Sequence, residues 1–161
     1  MAVLAVWTFP DVDAARSAEH SLARLSARRA VCIDDGAVLT WRTGAGRPRR
    51  RDLHSIALDD AVGGDFWAVL FAVVFLLPTV PDLDPAGAAA TSDVLGGLGI
   101  GRSFTGDLRR VTGPGTSALA VLIGDGILDG ADAALSPLRP TLTCAALDGD
   151  RLRTLRRVFA G

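Results

Sequence analysis

Hydrophobic residues in this chain cluster in a few dense runs, separated by polar stretches marked with Gly and Pro. Ala2 to Phe9 is β-branched and aromatic and stops at Pro10, which predicts a buried strand. Asp11 is placed to cap a following helix, and Ala14 to Arg28 sets Ala15, Ala18, Leu22 and Leu25 on one face with Arg outward. Val31 to Arg42 resumes strand character around a local turn at Asp34-Asp35-Gly36. Behind the breakers Gly44 and Gly46, Arg47-Pro48-Arg49-Arg50-Arg51 reads as a basic loop, and Leu53 to Leu58 as a short extended piece. Further on, Ser117 to Ile123 is another buried-strand run, Ile127 to Leu138 a modest helix ending near Pro137, and Thr141 to Leu147 a strand. Asp150 is placed to cap a last amphipathic helix with Leu152, Leu155 and Phe159 on one face.

The two ends of the chain repeat one pattern. VLAVWTFPDVDAARSAEHSLARL and ALAVLIGDGILDGADAALSPL share strand, acidic cap and Ala/Leu helix, and a second strand follows each. Two such β-α-β halves predict an α+β, ferredoxin-like sandwich of four antiparallel strands with two helices on one face. All 161 residues then form one domain. The stretch from about Arg47 to Thr112 becomes an insertion between the halves, far longer than the roughly 2–6 residues of ordinary connections.

At the centre of that insertion, Phe66 to Leu77 is apolar at every position, between Gly63-Gly64 and Pro78. As a helix it would have no polar face and would require a core, a partner or lipid. Its length is roughly 18 Å, against roughly 30 Å for a bilayer core. The chain turns through Pro81, Asp82, Asp84 and Pro85, and Ala86 to Leu98 returns as a small-residue helix, giving an inserted hairpin over about 60–112. Phe104 to Val111 adds a short amphipathic helix before the turn Gly113-Pro114-Gly115.

These features resemble the domain of unknown function 1269 family, small bacterial proteins often labelled predicted membrane proteins. The resemblance rests on Gly63-Gly64-x-x-Trp67 leading into the apolar run, the Gly-rich return ending in Gly99-Ile100, and the segment Phe104–Val111. It also includes Gly113-Pro114-Gly115-Thr116-Ser117-Ala118-Leu119 entering a strand, and it extends from Ala2 to Leu147. It implies a fold and no activity. Pro81, Asp82, Asp84, Pro85 and Asp93 make the return arm more polar than the Gly/Ala-rich return of the family, which weighs against a membrane span here.

Composition narrows the chemistry. All seventeen basic residues are Arg, Glu19 is the lone Glu, and Lys, Asn, Gln and Tyr are absent, as expected of a GC-rich genome. No Schiff-base Lys, Tyr acid or amide oxyanion donor is therefore at hand. The net charge of −1 exerts no general pull on nucleic acid. Two distant Cys do not make a disulfide scaffold and favour the cytoplasm, and the N-terminus lacks the basic region of a signal peptide.

His20, His54, Cys32 and Cys144 lack zinc-site spacing; Cys32 and Cys144 read as small core residues and His20 as exposed. His54, Ser55, Asp59 and Asp60 are the nearest approach to a catalytic grouping, without the separate segments a triad needs. Gly124-x-Gly126-x-x-x-Gly130, with Asp148 beyond the next strand, has the outline of a nucleotide loop, but Asp125 and Asp129 oppose a pyrophosphate.

The expectation is thus a non-enzymatic, cofactor- and metal-free protein whose partner is a second copy of itself. The hairpin supplies the contact through Phe66, Trp67, Leu70, Phe71, Val74, Phe75 and Leu77. One alternative is peripheral association with the inner face of a membrane, with Arg47, Arg49, Arg50 and Arg51 contacting anionic headgroups. The other is a small-molecule or nucleotide site at residues 124–130. No substrate is identified, and the arginine run lacks the interleaved aromatics of a nucleic-acid binder.

Overall fold

A computed structural model describes residues 2–28, 33–46, 48–52, 100–124, 127–150 and 153. Their elements are β1 (Ala2–Phe9), α1 (Ala14–Ala27), β2 (Ile33–Trp41), β3 (Arg49–Asp52), α2 (Arg102–Val111), β4 (Thr116–Gly124), α3 (Leu128–Leu135) with a 3₁₀ turn at Ser136–Leu138, and β5 (Thr141–Leu147). The class is α+β. Four long strands and the short β3 form one antiparallel sheet in the order β3-β2-β4-β1-β5.

The central strands explain the unbroken apolar runs. β1 lies between β4 and β5, from Ala2 opposite Gly124 to Phe9 opposite Ser117, so both its edges are paired. Val3, Ala5, Trp7 and Phe9 point to the face that carries α1 and α3, packing with Leu119, Val121 and Ile123 of β4 and Ala15, Ala18, Leu22, Ala131 and Leu135 of the helices. Leu4 and Val6 alternate onto the other face with Ala118, Ala120, Leu122, Ala37 and Leu39, and all of these are buried too. A strand buried on both faces has no polar side, hence the runs in place of alternation.

Polar contacts tie the helices to this core. The Trp7 indole Nε1 donates to Asp132 Oδ1 of α3 at 2.9 Å, giving a fully buried Trp its partner. Ser117 Oγ of β4 accepts from the Ala15 amide at 3.0 Å and donates to the Asp11 carbonyl at 2.5 Å, pinning the start of α1.

Three sequence expectations are corrected. Residues 34–36 do not form a turn: β2 runs straight through them, absorbing the extra residue as a bulge between Ile33 and Asp35, with the Asp35 carboxylate accepting the Gly36 amide at 2.8 Å. The N-cap of α1 is Asp13, and Asp11 instead accepts the Asp13 amide through Oδ1 at 3.0 Å, closing a turn ahead of the helix. Cys144 is exposed, because β5 is an edge strand whose buried positions are Thr143 and Leu147.

α2 packs against β5 and buries Ile100, Phe104 and Leu108. Its exit turn needs glycine: Gly115 has φ +89°, its amide donates to the Trp41 carbonyl at 2.7 Å, and a Cβ there would lie 3.2 Å from Thr43 Oγ1. Cys32, Leu53–Leu58 and most of the last helix, including Leu152, Leu155 and Phe159, lie outside the described residues.

A candidate anion-binding cleft

The arginine run expected as a loop forms the edge strand β3. The chain turns back after β2, with Ala45 N–H bonded to Arg42 O at 3.0 Å and Trp41 Nε1 to Ala45 O at 3.0 Å, and Gly44 at φ +84°. Arg49 then pairs with Thr40, Arg50 with Leu39 and Arg51 with Val38. Charge on the outermost strand is compatible with pairing, since such charges discourage a further strand.

Strand alternation sends Arg49 and Arg51 to the side of the sheet that carries α1. There Arg51 meets Glu19. The Glu19 side chain is 2% exposed and Arg51 is 37% exposed; Arg51 Nη1 reaches Oε1 at 3.4 Å and Nη2 bonds Oε2. Glu19 sits in the apolar stripe of α1, beside Ala15, Ala18 and Leu22. A carboxylate so buried requires a charged partner, and the edge strand delivers one.

Between the first turns of α1 and the β2–β3 edge lies an open cleft of about 670 Å³. Its charged walls are Arg16 from α1, Arg42 from the turn after β2, Arg49 and Arg51 from β3, and Asp13 at the helix start. Arg16, Arg42 and Arg49 make no ion pair among the described residues. Three arginines from three elements therefore line one cleft, whose walls are tied by the Glu19–Arg51 pair between α1 and β3 and by Ser117 at the start of α1. Two of the expected anion-contact residues, Arg49 and Arg51, fall in this cleft, while Arg47 and the side chain of Arg50 lie outside the described residues. Sequence reading missed Arg16 and Arg42, far from the run in sequence. A legible signal did exist: Glu19 falls on a predicted core face.

The remaining candidate residues are scattered or lie outside the description. Phe66, Trp67, Leu70, Phe71, Val74, Phe75 and Leu77 are outside it, as are His54, Ser55, Asp59 and Asp60. His20 is exposed on α1, and no group of three metal-ligating side chains occurs among the described residues. Gly124 ends β4 and Gly130 lies within α3, while 125–126 are outside the description. β4 and β5 run parallel with β1 between them. A second depression of about 440 Å³, between α2 and β5, is lined by Cys144 and Asp107, the latter paired with Arg110. No helix among the described residues is long and apolar enough to cross a membrane.

Comparison with known families gives a match over more than half of the chain. The family described as protein of unknown function (DUF1269) matches residues 61–160, from just ahead of the apolar run through β5 and beyond, leaving out β1 to β3. No curated protein and no solved structure matches the chain.

Proposed function

This chain belongs to the DUF1269 family of proteins of unknown function, and from that premise we propose that it is a non-enzymatic protein that assembles with copies of itself through the apolar segment Phe66–Leu77. In this reading the scaffold is a ferredoxin-like sandwich of two interleaved halves, β1-α1-β2 and β4-α3-β5. The strand order β5-β1-β4-β2 and the placement of α1 and α3 on one face support it.

The observation that carries the assembly reading is the all-apolar run of Phe66–Leu77 together with the positions of its flanks. The insertion leaves the sheet at one edge, β3, and returns at α2 beside the other edge, β5. Four strand spacings, about 19 Å, separate those edges. α1 and α3 occupy one face, and the second face of the sheet is also apolar. A flat sheet can cover only one side of a helix that is apolar all round. The opposite side then requires another surface, and in this reading a second copy supplies it. Trp67, Leu70, Phe71, Val74 and Phe75 are its anchors, flanked by Phe66 and Leu77.

Leu70→Asp combined with Val74→Asp, one helical turn apart, should abolish the native oligomer while circular dichroism keeps the sheet signal. A folded double variant of unchanged oligomer mass would count against the reading. Insertion of the same segment into the inner face of a membrane from the cytoplasm is the second reading. It is favoured by the exposed Arg49 on β3, upstream of the apolar segment.

A further inference from the structure

We propose that the cleft between α1 and the β2–β3 edge binds a phosphate ester, as the phosphomonoester or pyrophosphate group of a small molecule or of a lipid headgroup. Neither the assembly reading nor the family assignment implies this site, and it stands on described residues alone.

Charge is the first argument. Four arginines and one aspartate surround the cleft in a chain whose net charge is −1, so positive charge is concentrated here against the average. Because the chain contains no Lys, the choice of Arg carries no information; its placement does. Arg16, Arg42 and Arg49 come from a helix, a turn and a strand, and no local charge pattern would bring them together. Converging like charges are unfavourable in an empty cleft, and an anion with several acceptor oxygens relieves the repulsion.

Division of labour follows from the contacts. Arg51 is bonded through both terminal nitrogens to Glu19, so it forms a fixed wall of the cleft. Arg16, Arg42 and Arg49 keep their forks for a ligand, each able to offer paired donors to phosphate oxygens. Asp13 makes no side-chain capping bond to α1, so its carboxylate can accept a hydroxyl from the group that carries the phosphate. The volume, about 670 Å³, suits a small ligand. Val12, Val38 and Ala45 are the apolar lining, too little for a large hydrophobic moiety to be held inside.

The test uses the full chain and two probes. Calorimetric titration with inorganic pyrophosphate, at low and high salt, reports a soluble ligand. Co-sedimentation with phosphatidylcholine vesicles, with and without phosphatidic acid, reports a headgroup. Arg16→Ser with Arg49→Ser removes two exposed cleft charges, and Arg109→Ser with Arg110→Ser removes two from α2 as a control. The cleft variant should lose about tenfold or more in affinity, and the control less than about threefold. Arg42→Ser, outside both strand ladders, repeats the test if the double variant fails to fold. Pyrophosphate binding lost in the cleft variant supports a soluble ligand; binding seen only with phosphatidic acid vesicles, and lost in the same variant, supports a headgroup. No binding of either probe, or equal losses in cleft and control variants, overturns the proposal. Neither result depends on oligomer mass, so failure here is distinguishable from failure of the assembly reading.

Discussion

Removing Arg51 should destabilise the fold more than removing Glu19, and removing both should cost less than removing Arg51 alone. The asymmetry comes from burial: the Glu19 side chain is 2% exposed, whereas Arg51 is 37% exposed. In Arg51→Met the carboxylate loses its guanidinium while remaining under α1 and the sheet. Breaking a fully buried pair this way costs about 3–5 kcal/mol. Water already reaches Arg51, and the expected cost here is therefore lower, about 2–3 kcal/mol. Glu19→Met releases an arginine that can turn into solvent, at a cost of about 1 kcal/mol. The double variant replaces the pair by apolar side chains of similar length and should fall within about 1 kcal/mol of the parent. The resulting coupling energy is about 2–4 kcal/mol, well above the scatter for independent sites. Urea unfolding followed by tryptophan emission measures all four proteins, at one concentration because assembly would add stability. Additive costs, or an Arg51→Met variant within about 0.5 kcal/mol of the parent, would refute the claim that the pair is a buried unit.

Two further sites have definite costs. Ser117→Ala leaves the Ala15 amide and the Asp11 carbonyl without their side-chain partner, and thermal unfolding should show a loss of about 1–3 kcal/mol; a change within the scatter would mean that water replaces the hydroxyl. Gly115→Val forces a branched side chain into φ +89° and toward Thr43 Oγ1, so it should cost about 2–3 kcal/mol, with Gly115→Asn the milder change; equal costs would contradict the backbone argument.

What could be read from the residues follows the physics of local pattern. β1 and β5 were expected with the bounds observed, because Pro10 and Pro140 punctuate β-rich runs. The stripe Ala15, Ala18 and Leu22 is buried as expected. Long-range electrostatics were not legible. Three arginines in a row look like a solvated loop until a buried Glu19, thirty-two residues away from Arg51, supplies the reason for a strand. The cleft was half visible for the same cause: Arg49 and Arg51 stand out as a run, whereas Arg16 and Arg42 join them only through the sheet. Cys144 was misplaced because a strand-like pattern does not disclose whether the strand is central or at an edge.

The central claim, that the apolar segment is satisfied by another copy of the chain, is tested most directly by light scattering behind size exclusion on protein purified without detergent. The account predicts one species at a whole-number multiple of 16.7 kDa, at least twofold and stable to dilution. A monomer that binds vesicles, or protein recovered only in detergent, would contradict it and place the segment in lipid.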